Sequence, residues 1–168
     1  MTSTPASWKP GEVRRVLGVD PGSRVTGWGF IETNGRQVVA AAYGCLRPPR
    51  GAPRSVALAR LADQLDEVVV RERPDSAVVE VTFAASVPRA ALALAEARGA
   101  VLAVLGRRGV PVLEVEPARV KMAVVGFGRA EKRQVAFMVQ RHLGLVTAPP
   151  SDAADALALA LCHVWSAP

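Results

Sequence analysis

Three extended segments come first in this chain, before any helix-period pattern begins, and that order limits the folds open to it. Residues 14–20 form an apolar run that enters a Pro-Gly-Ser turn, and residues 25–32 form a second run. Asn34-Gly35 then supplies the dipeptide favoured in two-residue hairpins, so residues 37–46 are expected to return antiparallel. Beyond a Pro-rich connection the pattern changes. Leu58, Leu61, Leu65, Val68 and Val69 share one helical face, and Pro74 ends that helix. Residues 76–81 are a short apolar run of the kind buried in parallel sheets. Pro88 suits the first turn of a helix reaching to about residue 107, and residues 112–115 make a fifth strand. Two helical segments follow at 118–125 and 130–143, and a last helix runs from Ser151 or Asp152 to residue 165. The order predicts an α/β fold with a mixed five-stranded sheet, three antiparallel strands and then parallel ones, and helices on both faces.

At 168 residues the chain is expected to hold one domain, spanning 14–168, behind a flexible Ser-, Thr- and Pro-rich tail at 1–13. Half of the residues are apolar, enough for a core without staples. Cys45 and Cys162 show neither CxxC nor zinc spacing and read as buried free thiols. The first eleven residues lack the apolar core of a signal peptide. The most apolar helical stretch carries Glu96 and Arg98 at its centre, which argues against membrane insertion. A cytoplasmic location is expected. The net charge of +6 and pI near 10.3 suggest a polyanionic partner such as nucleic acid, or simply a basic soluble protein.

Against this basic background four acids stand in or beside apolar stretches, where a charge is costly without a partner. Asp20 ends the first strand and would project into the crevice at a sheet edge; an Asx-turn is the competing reading. Gly22, Gly27 and Gly29 around it do not make a phosphate loop. Trp28 stands where a Walker loop needs Lys, and GxGxxG is absent. Glu80 lies near the end of a run expected at the sheet centre, where a lone carboxylate needs a partner or a raised pKa; the alternative is an edge-strand Glu facing water. Asp152 and Asp155 are three apart at a helix start, on one face, with Cβ atoms roughly 5–6 Å apart. Asp152, or Ser151 before it, is equally readable as an N-cap. Asp155 sits one turn inside and precedes an apolar run, so it is harder to explain as a cap.

Two carboxylates about 5 Å apart repel by roughly 3 kcal/mol at an effective dielectric of about 20. Three or four gathered together therefore need protons or a cation. Ligands that are all oxygen favour Mg²⁺ or Mn²⁺ over zinc, and two such ions can activate water against a phosphodiester.

The segment from Arg119 to Arg141 carries six basic residues, Arg119, Lys121, Arg129, Lys132, Arg133 and Arg141, against Glu131 alone, a local charge of +5. Backbone binding competes here with a plain solvated face, and the amides at the start of the second helix are a possible phosphate seat. Phe83, three residues beyond Glu80, is either a base-stacking aromatic or a core anchor for its loop. His163 is eleven residues after Asp152, roughly 16 Å along a helix, too far to share a metal with it. His142 has no acid placed beside it.

VLGVDPGSRVTGWGFIE from Val16, the VVE strand with Phe83 after it, EARG at 96–99, VVGFGRAEKRQV and DAADALALAL together resemble the RuvC-type Holliday junction resolvases, collinearly from about Val16 to His163. DPGSRVTG and DAADALA carry most of the specificity. The resemblance implies a ribonuclease-H-like fold, a homodimer, and paired nicks in a four-way DNA junction that leave a 5′-phosphate and a 3′-hydroxyl. It implies Mg²⁺ or Mn²⁺, two ions per site, and cooperation with the RuvA–RuvB branch-migration complex. The family's acidic tetrad falls on Asp20, Glu80, Asp152 and Asp155, its stacking aromatic on Phe83, and its basic positions on Lys121 and Lys132. The loop after Glu80 departs from the polar family pattern, with Val81, Thr82 and then AASVPRAA. Two rival functions remain at this stage: a ribonuclease-H-like RNA-processing nuclease, and an inactive module that only binds branched DNA. An actin-like small-molecule kinase would need a second large domain.

Overall fold

The structure, a computed structural model, describes residues 12–34, 37–81 and 88–166. Its elements are β1 (Arg14–Asp20), β2 (Thr26–Thr33), β3 (Val38–Leu46), α1 (Arg54–Glu72), β4 (Ser76–Glu80), α2 (Pro88–Arg107), β5 (Val112–Val115), α3 (Pro117–Val125), α4 (Lys132–His142) and α5 (Ser151–Ser166). The five strands form one sheet in the order β3-β2-β1-β4-β5. β1, β2 and β3 are antiparallel, whereas β4 runs parallel to both β1 and β5. Hairpin logic at the start and crossover helices later account for that switch. Of the expected hairpin turn, Gly35 lies outside the described residues; beside it the Asn34 amide donates to the Gln37 carbonyl at 3.1 Å. Most of the expected tail lies outside them as well.

Side-chain alternation sends each strand's residues to two cores. Leu17, Val19, Phe30, Ala77 and Val79 pack with α1 and α2, through Leu65 and Val101 among others. Val16, Ile31, Val78 and Val115 pack on the other face with α3, α4 and α5, where Val120, Val139 and Leu157 are buried. Helices therefore cover both faces, as the pattern predicts.

Local features set three helix boundaries. α1 stops at Glu72 because Arg73 turns left-handed (φ 49°) ahead of Pro74. α4 starts at Lys132, not residue 130, because Glu131 is its N-cap and Gln134 Oε1 accepts the Glu131 amide at 2.8 Å to close a capping box. That box engages the α4 start with its own side chains, which weakens the idea of a phosphate seat there. α5 includes Ser151, so Asp152 lies within its first turn instead of capping it.

The glycines of β1 and β2 are explained by α5. Gly18 pairs with Gly29, and Gly27 with Asp20. A Cβ on Gly18 would lie 1.9 Å from the Ala156 carbonyl oxygen, and one on Gly27 would lie 1.9 Å from that of Asp152. On Gly29 it would meet the Leu157 amide at 2.6 Å. The strand surface is bare at these positions, and the Ala-rich α5 lies directly against backbone. That contact brings the first turns of α5 to the end of β1.

Candidate active site

Parity places the first two acids. Val16 belongs to the α5-side core, so Gly18 and Asp20 share that face of β1; Val78 belongs to the same core, so Glu80 faces the same way on β4. The parallel register pairs Gly18 with Val78 and Val19 with Val79, and one step further brings Asp20 level with Glu80. Neighbouring strands lie about 4.8 Å apart, so the two carboxylates emerge at adjacent strand ends. Asp155, on α5, completes a cavity of about 240 Å³ lined by Asp20, Glu80, Asp155, Lys121 and Lys132, with Pro117, Val120, Val135, Ala158 and Leu159 as its apolar wall. Asp152 is half-buried and is not part of that wall.

The electrostatics match the geometry. The Asp20 carboxyl is pushed up from 3.8 to about 7, mainly by burial, and further by the charges of Asp155, Glu80 and Asp152, with Lys132 opposing. Glu80 is also raised, by burial first and Asp155 second, while Lys132 and Lys121 pull it back. Lys132 Nζ stands 2.9 Å from Asp155 Oδ2 and keeps its proton more tightly because of that bond. The lysine side chain is 76% exposed and the aspartate 24%.

Among the described residues, no three Asp, Glu, His or Cys side chains are grouped so as to close around an ion as they stand. The donor chemistry nonetheless fits a hard dication. The groups able to ligate it are carboxylates alone, the two lysines beside them do not neutralise all three, and the cavity is roomy.

The expected basic residues divide. Lys121 and Lys132 line the cavity. Arg129 is exposed, and Arg133 is exposed with a 3.3 Å ion pair to Glu131; neither lines the cavity. Arg119 is exposed too, and its charge acts on His163 and Cys162 toward the other end of α5. Phe83 lies outside the described residues. His163 is buried in α5, and His142 packs edge-on against Trp165 with ring centroids 4.7 Å apart, so neither histidine belongs to the site. Both cysteines are free, but Cys45 is only half-buried. No helix among the described residues is long and apolar enough to cross a membrane.

Sequence reasoning missed two contributors. The apolar wall from Pro117 and Val120 reads in sequence only as helix start and core. The Lys132–Asp155 pair joins residues 23 positions apart, a separation at which no local spacing rule applies.

A mixed sheet in this strand order, with acids at the ends of two adjacent strands and on the helix packed over them, defines a ribonuclease-H-like domain. Residues 16–163 match the family described as Crossover junction endodeoxyribonuclease RuvC. The chain is 44% identical over 155 residues to the crossover junction endodeoxyribonuclease RuvC of Chloroflexus aggregans, covering 92% of this chain and 94% of the relative. It is 47% identical over 149 residues to that of Halorhodospira halophila, covering 89% of each. Thermus thermophilus RuvC in complex with Holliday junction substrate superposes with a TM-score of 0.82 at 35% identity, over 90% of this chain and 93% of that one. The chain belongs to the RuvC family of crossover junction endodeoxyribonucleases.

Proposed function

We propose that this protein is a cytoplasmic, homodimeric, divalent-metal-dependent endonuclease that resolves four-way DNA junctions by paired nicks, in cooperation with a RuvA–RuvB branch-migration complex. The observation that carries the reading is the convergence of Asp20, Glu80 and Asp155 with two lysines on one cavity, in a chain that belongs to this family.

Asp20, Glu80 and Asp155 would hold Mg²⁺ or Mn²⁺, two ions per site, with Asp152 completing the set from the first turn of α5. Bound there, the metal supplies a nucleophilic water and neutralises charge on the leaving oxygen, to give a 5′-phosphate and a 3′-hydroxyl. The protein's share is positioning and charge. Asp20 and Glu80 project from strand ends held by the sheet ladder, so their separation is set by backbone. Lys121 and Lys132 bring positive charge to the same cavity, where the non-bridging oxygens of a scissile phosphate are received. The apolar wall thins the water around Asp20 and strengthens the interactions of its charge. Arg129 and Arg133 bind backbone phosphates farther out, and Phe83 stacks on a base exposed at the branch point. Arg119, which acts toward the other end of α5, is left out of this assignment.

Incubation with a synthetic four-way junction, with Mn²⁺ or Mg²⁺ against Ca²⁺, tests the reading. Wild type is expected to cut two opposed strands. Glu80→Gln is expected to lose cleavage and keep junction binding in Ca²⁺. No cleavage by wild type, or preference for an RNA competitor over the junction, overturns it.

A further inference from the structure

Lys132 is the first residue of α4, and its root is fixed. The Glu131–Gln134 capping box holds the helix start, and Val135 and Val139 anchor the next turns in the core. Its side chain is mostly in water, yet its ammonium bonds Asp155 Oδ2 at 2.9 Å. The helix itself does not call for a cation at this place, because a positive charge at a helix N-terminus opposes the macrodipole. The acids across the cavity are what hold it: Asp155 directly, and Asp20 and Asp152 at longer range. Lys121 lines the same cavity, and both lysines act on Glu80, Lys132 the more strongly.

We propose that Lys132 is a resident counter-ion that competes with a divalent cation for Asp155, so that metal entry and release of the Lys132 ammonium toward the substrate phosphate are one exchange. The inference rests on the metal-dependent reading above. An ammonium and a dication repel strongly when both face one carboxylate. The long, exposed stem lets the lysine leave without disturbing the core. The exchange also delivers the lysine where it is wanted, since the charge displaced from Asp155 becomes free at the cavity mouth only when the site is loaded.

The test is calorimetric titration of MnCl₂ at pH 8, without DNA, into wild type, Lys132→Met and Lys132→Arg, with melting curves recorded in parallel. Lys132→Met, which keeps the stem and loses the charge, is expected to bind Mn²⁺ at least about fivefold more tightly, whereas Lys132→Arg stays within about twofold of wild type. The metal-free melting temperature of Lys132→Met is expected to fall and to recover at saturating Mn²⁺. Unchanged or weaker Mn²⁺ binding by Lys132→Met overturns the exchange, as does a drop in melting temperature that is equal with and without Mn²⁺. No uptake of Mn²⁺ by wild type sinks the metal-dependent reading itself, and the exchange with it.

Discussion

Asp20 offers the most direct physical test, because its proton is a stability variable. Its carboxyl titrates near 7 in the folded protein, against 3.8 for an unperturbed side chain, first because it is buried and then because Asp155, Glu80 and Asp152 face it. Between those two values the folded state keeps a proton that the unfolded chain has already released. Stability therefore falls as pH rises through that window. Roughly three decades of proton affinity at ~1.36 kcal/mol each amount to about 4 kcal/mol, lost by pH 8 and fully regained below pH 4. Asp20→Asn has no such proton. In metal-free buffer with chelator, urea unfolding followed by circular dichroism should give an Asn-minus-wild-type stability difference that climbs by about 4 kcal/mol from pH 4 to pH 8. Adding Mg²⁺ at pH 8 should raise wild type well above its chelated value and raise the Asn variant far less. A difference that is flat in pH within about 1 kcal/mol would refute the reasoning, since it would mean that Asp20 ionises as freely in the fold as in water.

Gly18→Ala should destabilise by about 1–3 kcal/mol or more in the same assay, since its Cβ collides with the Ala156 carbonyl, while Gly99→Ala, whose Cβ meets nothing within 4 Å, should be neutral or stabilising by up to about 1 kcal/mol. Equal effects of the two would remove packing as the reason for the strand glycines. Lys121→Ala should weaken junction binding and lower its log–log salt slope by about one; an unchanged slope places that lysine outside the DNA interface. Phe83→Ala should impair junction cleavage more than linear duplex binding, and a matching loss of melting temperature and activity would mark the ring as core instead.

The strand and helix order was legible because α1 carries a clear helical period, the strands read as short apolar runs, and Pro or Gly punctuates most junctions. Asp20 and Glu80 were legible for a related reason: an acid breaking an apolar strand is conspicuous, and parity then gives its face. Gly27 and Gly29 were visible but uninterpretable. They fail as a phosphate loop, and their reason lies in α5, more than a hundred residues away. The Lys132–Asp155 contact was hidden because the charge run from Arg119 to Arg141 shows how much charge there is, not which way each residue faces. Two residues apart on α3, Arg119 and Lys121 point about 200° apart around the axis, so only one of them meets the cavity. Asp152 and Asp155 share a helix face, yet only Asp155 lines the cavity, a distinction that spacing alone does not make.

Where α5 rests on Gly18 and Gly27 there is no side chain to cushion the joint. The spacing between the carboxylate on the helix and those on the strands is therefore held by main chain against main chain, like two parts of a gauge screwed face to face. Drift in the surrounding core can be absorbed by rotamers, but drift at this joint shows up at once as a change in the aperture between Asp20 and Asp155.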